Sequence, residues 1–242
     1  MFSVIIPTRD RPAFLTEAVA SVLEQDEPAL EVLVVNDGER LAESFNSQRV
    51  RVIDNKRSGP VAARRRGVEE SRGEFIAFLD DDDRWSDARH LTLARDGFAH
   101  GADFCFSDGR LRFLSPEGGS DHRTPDISFS FETTVQSLET DNTILISAVS
   151  YRRSLHGKLG PFDPGLPFYW DWDWYLRVAR AGSVMHHIKA PTVQIAVHDG
   201  NMSGDSTIAE RQANLAQLAA KHGLPPLQLK NHLSLALEKR PA

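Results

Sequence analysis

Apolar positions along the first third of the chain come in two rhythms: short unbroken runs, and longer stretches in which apolar residues recur three and four apart. The first rhythm reads as strands buried on both faces, the second as amphipathic helices. Residues 2–6 form a strand ended by Pro7, after which Phe14, Leu15, Ala18, Val19, Val22 and Leu23 share one helical face, with Pro12 suited to the first turn. Residues 31–35 predict a second strand closed by the turn triplet Asn36-Asp37-Gly38, and residues 50–53 a third. Ser58-Gly59-Pro60 opens a helix that carries Ala62, Ala63 and Val68 and is expected to end near Arg72-Gly73, with the glycine as its cap. Residues 74–79 then supply a fourth strand. Such alternation predicts an α/β fold with a mostly parallel central sheet flanked by helices. Ligands of open α/β sheets bind outside the carboxyl ends of strands, so Thr8-Arg9-Asp10, Asn36-Asp37 and the aspartates 80–83 are expected to converge on one crevice.

The second half is less regular. Residues 115–128 read as a loop rich in turn-forming residues, and residues 143–151 as a strand. An aromatic stretch follows, in which helical spacing puts Phe168, Trp172, Tyr175, Leu176 and Ala179 on one packed face. Asp173 stands one turn before Arg177 and is expected to pair with it. Asp171 has apolar neighbours in Trp174, Tyr175 and Val178, and a carboxylate so placed tends toward a raised pKa suited to a general base. Residues 208–222 and 227–239 predict two further helices separated by Pro225-Pro226, covering the fold or an oligomer interface.

The four consecutive aspartates Asp80, Asp81, Asp82 and Asp83 are the sharpest chemical signal. Their mutual repulsion is costly unless a cation sits on them. In an extended segment Asp80 and Asp82 point to the same side as a chelating pair, and Mg²⁺ or Mn²⁺ held by one or two carboxylates leaves positions for water and substrate phosphates. Taken alone, an acidic run is more often solvated surface.

Composition narrows the class only broadly. With 242 residues and 40% hydrophobic content the chain can bury one large core, and a formal charge of -6 argues against wholesale nucleic-acid binding. The single cysteine, Cys105, lies between Phe104 and Phe106, reads as a core residue, and fits a reducing, cytoplasmic setting. No apolar stretch is long enough to span a bilayer; peripheral membrane contact and a homodimer are left open.

The ordered series Phe2-Ser3-Val4-Ile5-Ile6-Pro7-Thr8, Ser21-Val22-Leu23-Glu24-Gln25, Val34-Val35-Asn36-Asp37-Gly38, Ala62-Ala63-Arg64, Phe78-Leu79 with the aspartates, Gly160-Pro161-Phe162-Asp163, Trp170-Asp171-Trp172-Asp173 with Arg177, and His198-Asp199-Gly200-Asn201-Met202-Ser203 resembles a family 2 glycosyltransferase of the GT-A fold. The resemblance implies a GT-A domain over residues 1–205, with a nucleotide-sugar half (1–110) and an acceptor and catalytic-base half (111–205), and leaves residues 206–242 as a helical extension. It further implies metal-dependent, inverting sugar transfer from a UDP, GDP or dTDP donor to a glycan, lipid-linked or small-molecule acceptor in surface glycan or glycoconjugate synthesis. Thr8, Asp10, Asp37, Arg64, Asp80 and Asp81 would bind the donor; Asp82 would ligate Mg²⁺ or Mn²⁺ together with Asp80 and His198; Asp171 would be the base. Three positions depart from the family pattern: Trp170 stands where an acid usually precedes the base, Asn36 where the first of two acids usually follows the second strand, and Arg65 where an asparagine commonly follows Arg64. The competing readings are a non-catalytic nucleotide-sugar-binding module and a sugar nucleotidyltransferase. Nucleotidyltransferases need a glycine-rich basic loop after the first strand, which Pro7-Thr8-Arg9-Asp10-Arg11 lacks.

Overall fold

A computed structural model describes residues 1–28, 30–41, 45, 47–115, 121, 124–198, 200, 202 and 207–239. The first half follows the alternation of the sequence: β1 (Phe2–Thr8), α1 (Pro12–Leu23), β2 (Leu30–Asn36), β3 (Val50–Asp54), α2 (Pro60–Glu70) and β4 (Phe75–Phe78). The chain continues through β5 (Arg84–Trp85), α3 (His90–Ala99), β6 (Phe104–Phe113), β7 (Ile127–Phe129), α4 (Val135–Leu138), β8 (Val149–Arg152), α5 (Leu155–Leu159), α6 (Trp170–Arg180), β9 (Met185–Val197), α7 (Ile208–His222) and α8 (His232–Glu238). Among the described residues, one sheet runs in the order β3-β2-β1-β4-β8-β6-β9-β5, with β7 paired to β6. β1 is parallel to β2 and β4, β2 to β3, and β6 to β9, whereas β8 runs against both of its neighbours.

Both faces of β1, β2 and β4 are buried, which is why they read as largely apolar runs, whereas the edge strand β3 is partly exposed. Val4, Ile6, Val32 and Val34 face a core shared with α1 and α3, while Ile5, Leu33 and Val35 face a second core containing α2, α6 and α7. The period of two sorts adjacent residues to opposite layers. Cys105 is buried, and burial pushes its thiol up to about 12, as expected of a core residue.

Several local expectations are corrected. Gly73 does not cap α2, which ends at Glu70 with Ser71 already extended. A Cβ at Gly73 would lie 2.6 Å from Ser3 Oγ, and Gly73 N–H donates to that oxygen at 2.8 Å, so the glycine allows two segments to touch. The expected strand over 143–151 is instead a 3₁₀ turn at Ile146–Ala148 followed by β8. The loop over 115–128 gives way to β7 at Ile127, and positions 116–120 and 122–123 lie outside the described residues. The last helix starts only at His232, because Asn231 and Ser234 form a reciprocal cap, with Asn231 Oδ1 accepting from Ser234 N–H at 2.8 Å. Leu227 and Leu229, expected to be helical, lie in extended chain and pack on the second core.

The aromatic helix α6 is buried nearly all round rather than on one face, and it starts at Trp170, leaving Phe168 outside it. Several elements enclose it: Trp172 Nε1 donates to Leu138 O of α4 at 2.6 Å, Trp174 stacks on His156 of α5 at 4.6 Å, and Tyr175 meets Phe104 of the sheet edge-on at 5.7 Å. Asp173 is fully buried and pairs with Arg177 (2.8 Å) as expected, and also with Lys221 (2.7 Å) and His222 (2.9 Å) of α7. Burial alone would raise its pKa, but these donors outweigh burial and bring it to about 2. A depressed carboxyl pKa stabilises the fold above the unfolded value of about 4, and that contribution is lost as pH falls toward 2. Asp173→Asn is therefore expected to lower stability at pH 7 by roughly 3 kcal/mol, since a buried cation cluster loses its anion. Urea unfolding from pH 7 to pH 2 checks this, with the gap between variant and parent narrowing below pH 4.

Candidate functional site

β1, β2, β3 and β4 run parallel, so Thr8, Asp37, Asn55 and the aspartates emerge at one edge of the sheet. A cavity of about 570 Å³ opens there, lined by Thr8, Arg11, Asp37, Arg64, the aspartates 80–83 and Asp171 among others. Of the candidate site residues singled out in the sequence, Asp10 and His198 do not line it. Asp10 sits in left-handed backbone (φ 57°), and its Oδ1 accepts from Glu39 N–H at 2.7 Å, tying the loop after β1 to the turn after β2. Asp37 is buried and accepts from Asn55 Nδ2 at 2.6 Å and Gly59 N–H at 3.0 Å. Asn36 donates to Glu39 O at 2.8 Å, a bond that a carboxylate could not make, which accounts for the amide at this position.

The aspartates do not continue the strand. Asp83 N–H bonds to Asp80 O at 3.1 Å, closing a turn that sends the four side chains to different partners instead of pairing Asp80 with Asp82 on one side. Asp80 is paired with Arg64. Asp81 Oδ2 accepts from Thr8 Oγ1 at 2.6 Å, and Asp82 Oδ2 accepts from Arg11 at 2.8 Å and from His198 Nε2 at 3.1 Å. Asp83 is wholly structural: Ser147 Oγ donates to one of its oxygens at 2.5 Å and Ala196 N–H to the other at 2.8 Å. Ser147 Oγ also accepts from Asp80 N–H at 3.0 Å, so the 3₁₀ turn before β8 props the whole aspartate turn.

Crowding sets the electrostatics. Burial, then the charge of Asp82, push Asp81 up to about 6, and the same two causes hold Asp83 well above the usual carboxylate range. For Asp82 burial acts upward too, but the His198 hydrogen bond and the Arg11 charge outweigh it and hold the carboxyl below its ordinary value. His198 has a defined tautomer: its Nδ1 accepts from Gly200 N–H at 3.0 Å, so Nε2 carries the proton donated to Asp82. Phe14 of α1 stacks on the His198 ring at 5.6 Å. Of the motif that starts at His198, Asp199, Asn201 and Ser203 lie outside the described residues.

Asp171 occupies the first turn of α6, is buried, and accepts from Asn142 Nδ2 at 3.0 Å. Burial pushes its pKa up to about 6 against that hydrogen bond and the charge of Arg64. Trp170 lies under Arg64, whose guanidinium carbon stands 4.8 Å from the ring centroid, and meets Phe162 edge-on at 4.8 Å. The indole that replaces an acid here therefore carries the arginine that pairs with Asp80. Arg66, by contrast, faces outward and pairs with Glu70 at 2.8 Å.

Three contributors were not legible as site residues: Asn142, Arg11 and the segment containing Gln228, Lys230 and Asn231, which lines the far side of the cavity. Arg11 carried a signal, a basic residue just past the first strand. Asn142 and the segment at 228–231 carried none, because only the tertiary fold brings them to Asp171.

The sequence model described as Glycosyl transferase family 2 matches residues 3–160. The chain belongs to that family. Consistent with glycosyl transferase family 2, the chain is 31% identical to an uncharacterized glycosyltransferase, YwdF, of Bacillus subtilis over 241 residues, covering 98% of this chain and 89% of the relative. It is 32% identical over 110 residues to the GalNAc(5)-diNAcBac-PP-undecaprenol beta-1,3-glucosyltransferase of Campylobacter jejuni, a match covering 40% of this chain and 36% of that protein. Among solved structures, S. aureus TarS 1–349 in complex with UDP-GlcNAc superposes with a TM-score of 0.67 at 19% identity, over 98% of this chain and 70% of that one. The fold is thus that of the GT-A enzymes, and the protein is a glycosyltransferase.

A carboxyl group raised to about 6 penalises the folded state once pH exceeds the unfolded value near 4, and the penalty is complete above pH 6. Asp171→Asn is accordingly expected to raise stability at pH 8 by on the order of 2 kcal/mol, with the gain vanishing near pH 4. Thermal melts at the two pH values test the sign; a less stable variant at pH 8 would refute the buried, strained carboxylate.

Proposed function

We infer that the protein is an inverting glycosyltransferase that moves a sugar from a nucleoside-diphosphate donor to an acceptor hydroxyl presented to Asp171. The observation that carries this reading is that one cavity holds the aspartate turn and the buried Asp171, whose pKa is raised to about 6. Thr8 and Asp37 line the part of the cavity at the ends of β1 and β2, where a nucleoside would lie, and Arg64 offers a guanidinium toward the diphosphate. The UDP-GlcNAc complex of TarS and the undecaprenol-linked acceptor named for the Campylobacter relative support a nucleotide-sugar donor and a role in glycoconjugate or surface glycan synthesis.

The aspartate turn fits a divalent ion by its chemistry. Its ligands are carboxylate oxygens, which suit Mg²⁺ or Mn²⁺, and the charge crowding that raises Asp81 and Asp83 is the excess that such an ion relieves. Among the described residues no three ligating side chains converge on one point, and Asp80 is turned to Arg64, so Asp82 would be the protein ligand of the ion, with donor oxygens and water supplying the rest. His198, donating from Nε2, orients Asp82. A divalent ion held there would supply positive charge toward a departing diphosphate. Asp171 accepts the proton of the attacking hydroxyl, and Asn142 fixes which carboxylate oxygen is available by holding Oδ2. Attack from the side opposite the diphosphate inverts the anomeric centre.

Calorimetric titration of UDP, GDP and dTDP with and without Mn²⁺ tests the donor site: one nucleotide should bind in a metal-dependent way, and Asp82→Ala should abolish that dependence. Binding of none of the three would refute the reading. Asp171→Asn should keep nucleotide binding but lower sugar transfer at least ~10³-fold, and the parent's rate should rise as pH passes about 6.

A further inference from the structure

Arg11 is, with Arg64, one of two arginines paired to the aspartate turn, yet it stands where a cation is poorly placed. It immediately precedes α1, whose first turn contains no acidic residue, so its guanidinium lies close to the positive end of a helix. It stays because of what it touches: Nη1 donates to Asp82 Oδ2 at 2.8 Å and lies 3.6 Å from Asp81 Oδ1, while Nη2 donates to Gly200 O at 2.8 Å. Its side chain is one-third exposed and lines the same cavity as Asp82 and Arg64. Arg11 and His198 thus both hold Asp82 Oδ2, so an ion drawing on that carboxylate would meet the Arg11 charge at close range.

We propose that Arg11 and the divalent ion compete for Asp82, so that the ion displaces the guanidinium, which then turns within the cavity onto the diphosphate of the donor. This rests on the donor-site reading given above. With the ion absent, Arg11 limits repulsion in the turn; with ion and donor present, the same charge is delivered to the phosphates beside Arg64, on the opposite side of the aspartate turn. Metal alone is predicted to bind weakly, because it must break an ion pair and the bond to Gly200, whereas metal with donor binds well because Arg11 gains a new anionic partner. No proton or covalent bond is transferred in the exchange.

The test is direct metal binding. Mn²⁺ is titrated by calorimetry and by the loss of its free-ion paramagnetic resonance signal into the parent, Arg11→Gln and Arg11→Lys, with no nucleotide present. Arg11→Gln should bind Mn²⁺ at least ~10-fold more tightly than the parent, because a competing charge has gone. Arg11→Lys, which keeps the charge but cannot span Asp82 and Gly200 with one planar fork, should fall between them and guards against a folding defect. With Mn²⁺ saturating, the order should reverse for UDP, with Arg11→Gln roughly tenfold weaker than the parent. Mn²⁺ binding to Arg11→Gln that is no tighter than to the parent overturns the proposal. If the parent takes UDP with Mn²⁺ and only this tightening fails, Arg11 alone is misassigned; if the parent takes no UDP at all, the donor-site reading falls with it.

Discussion

Four carboxylates in one turn at the end of a buried strand repel one another, and the architecture around them is largely a means of holding that charge. Arg64 reaches Asp80 from α2, Arg11 reaches Asp82 from the start of α1, His198 arrives just after β9, and Ser147 props Asp83 from the turn before β8. These supports come from segments far apart in sequence. The parallel arrangement of β1, β2, β3 and β4 makes their meeting possible, because it sets the loops after those strands along a single edge. A sheet of hairpins would have split them between two edges.

Asp171 is held by a different strategy. It sits in a helix that the rest of the molecule grips on all sides, and its neighbour Asp173 anchors that helix to Lys221 and His222. The two aspartates share a helix turn and have opposite environments: one is surrounded by donors and driven to about 2, while for the other burial outweighs the Asn142 and Trp172 hydrogen bonds and the Arg64 charge and raises it to about 6. Carboxylates two residues apart on one helix are thereby shifted in opposite directions.

The first four strands and two helices were readable because their signals are local. Apolar runs, Pro12, Pro60 and the triplet Asn36-Asp37-Gly38 each act within a few residues. The course of the aspartate turn was not readable that way: alternation suggested an extended pair, whereas the bonds to Thr8, Arg11 and Ser147 that set the turn span more than sixty residues each. β9 was missed for a related reason. Its thirteen residues contain two histidines, a lysine and Pro191, and the register shift opposite Ser107 and Asp108 falls beside that proline, so no clean period of two survives. Asp171 and Asp173 could be told apart from sequence because the decisive neighbour, Arg177, lies one turn away; Asn142 could not be found, since the chain gives no sign that it meets α6.

The segment joining α7 and α8 runs past the cavity as extended chain, anchored inward by Leu227 and Leu229 while Gln228, Lys230 and Asn231 line the opening. Lys230 also pairs with Asp141 and Glu238, and Asn231 caps α8, so changing either alters the cavity wall together with its supports. What shapes this part of the cavity therefore also starts α8, which packs on β7, so the cavity wall and the terminal helix form one mechanical unit.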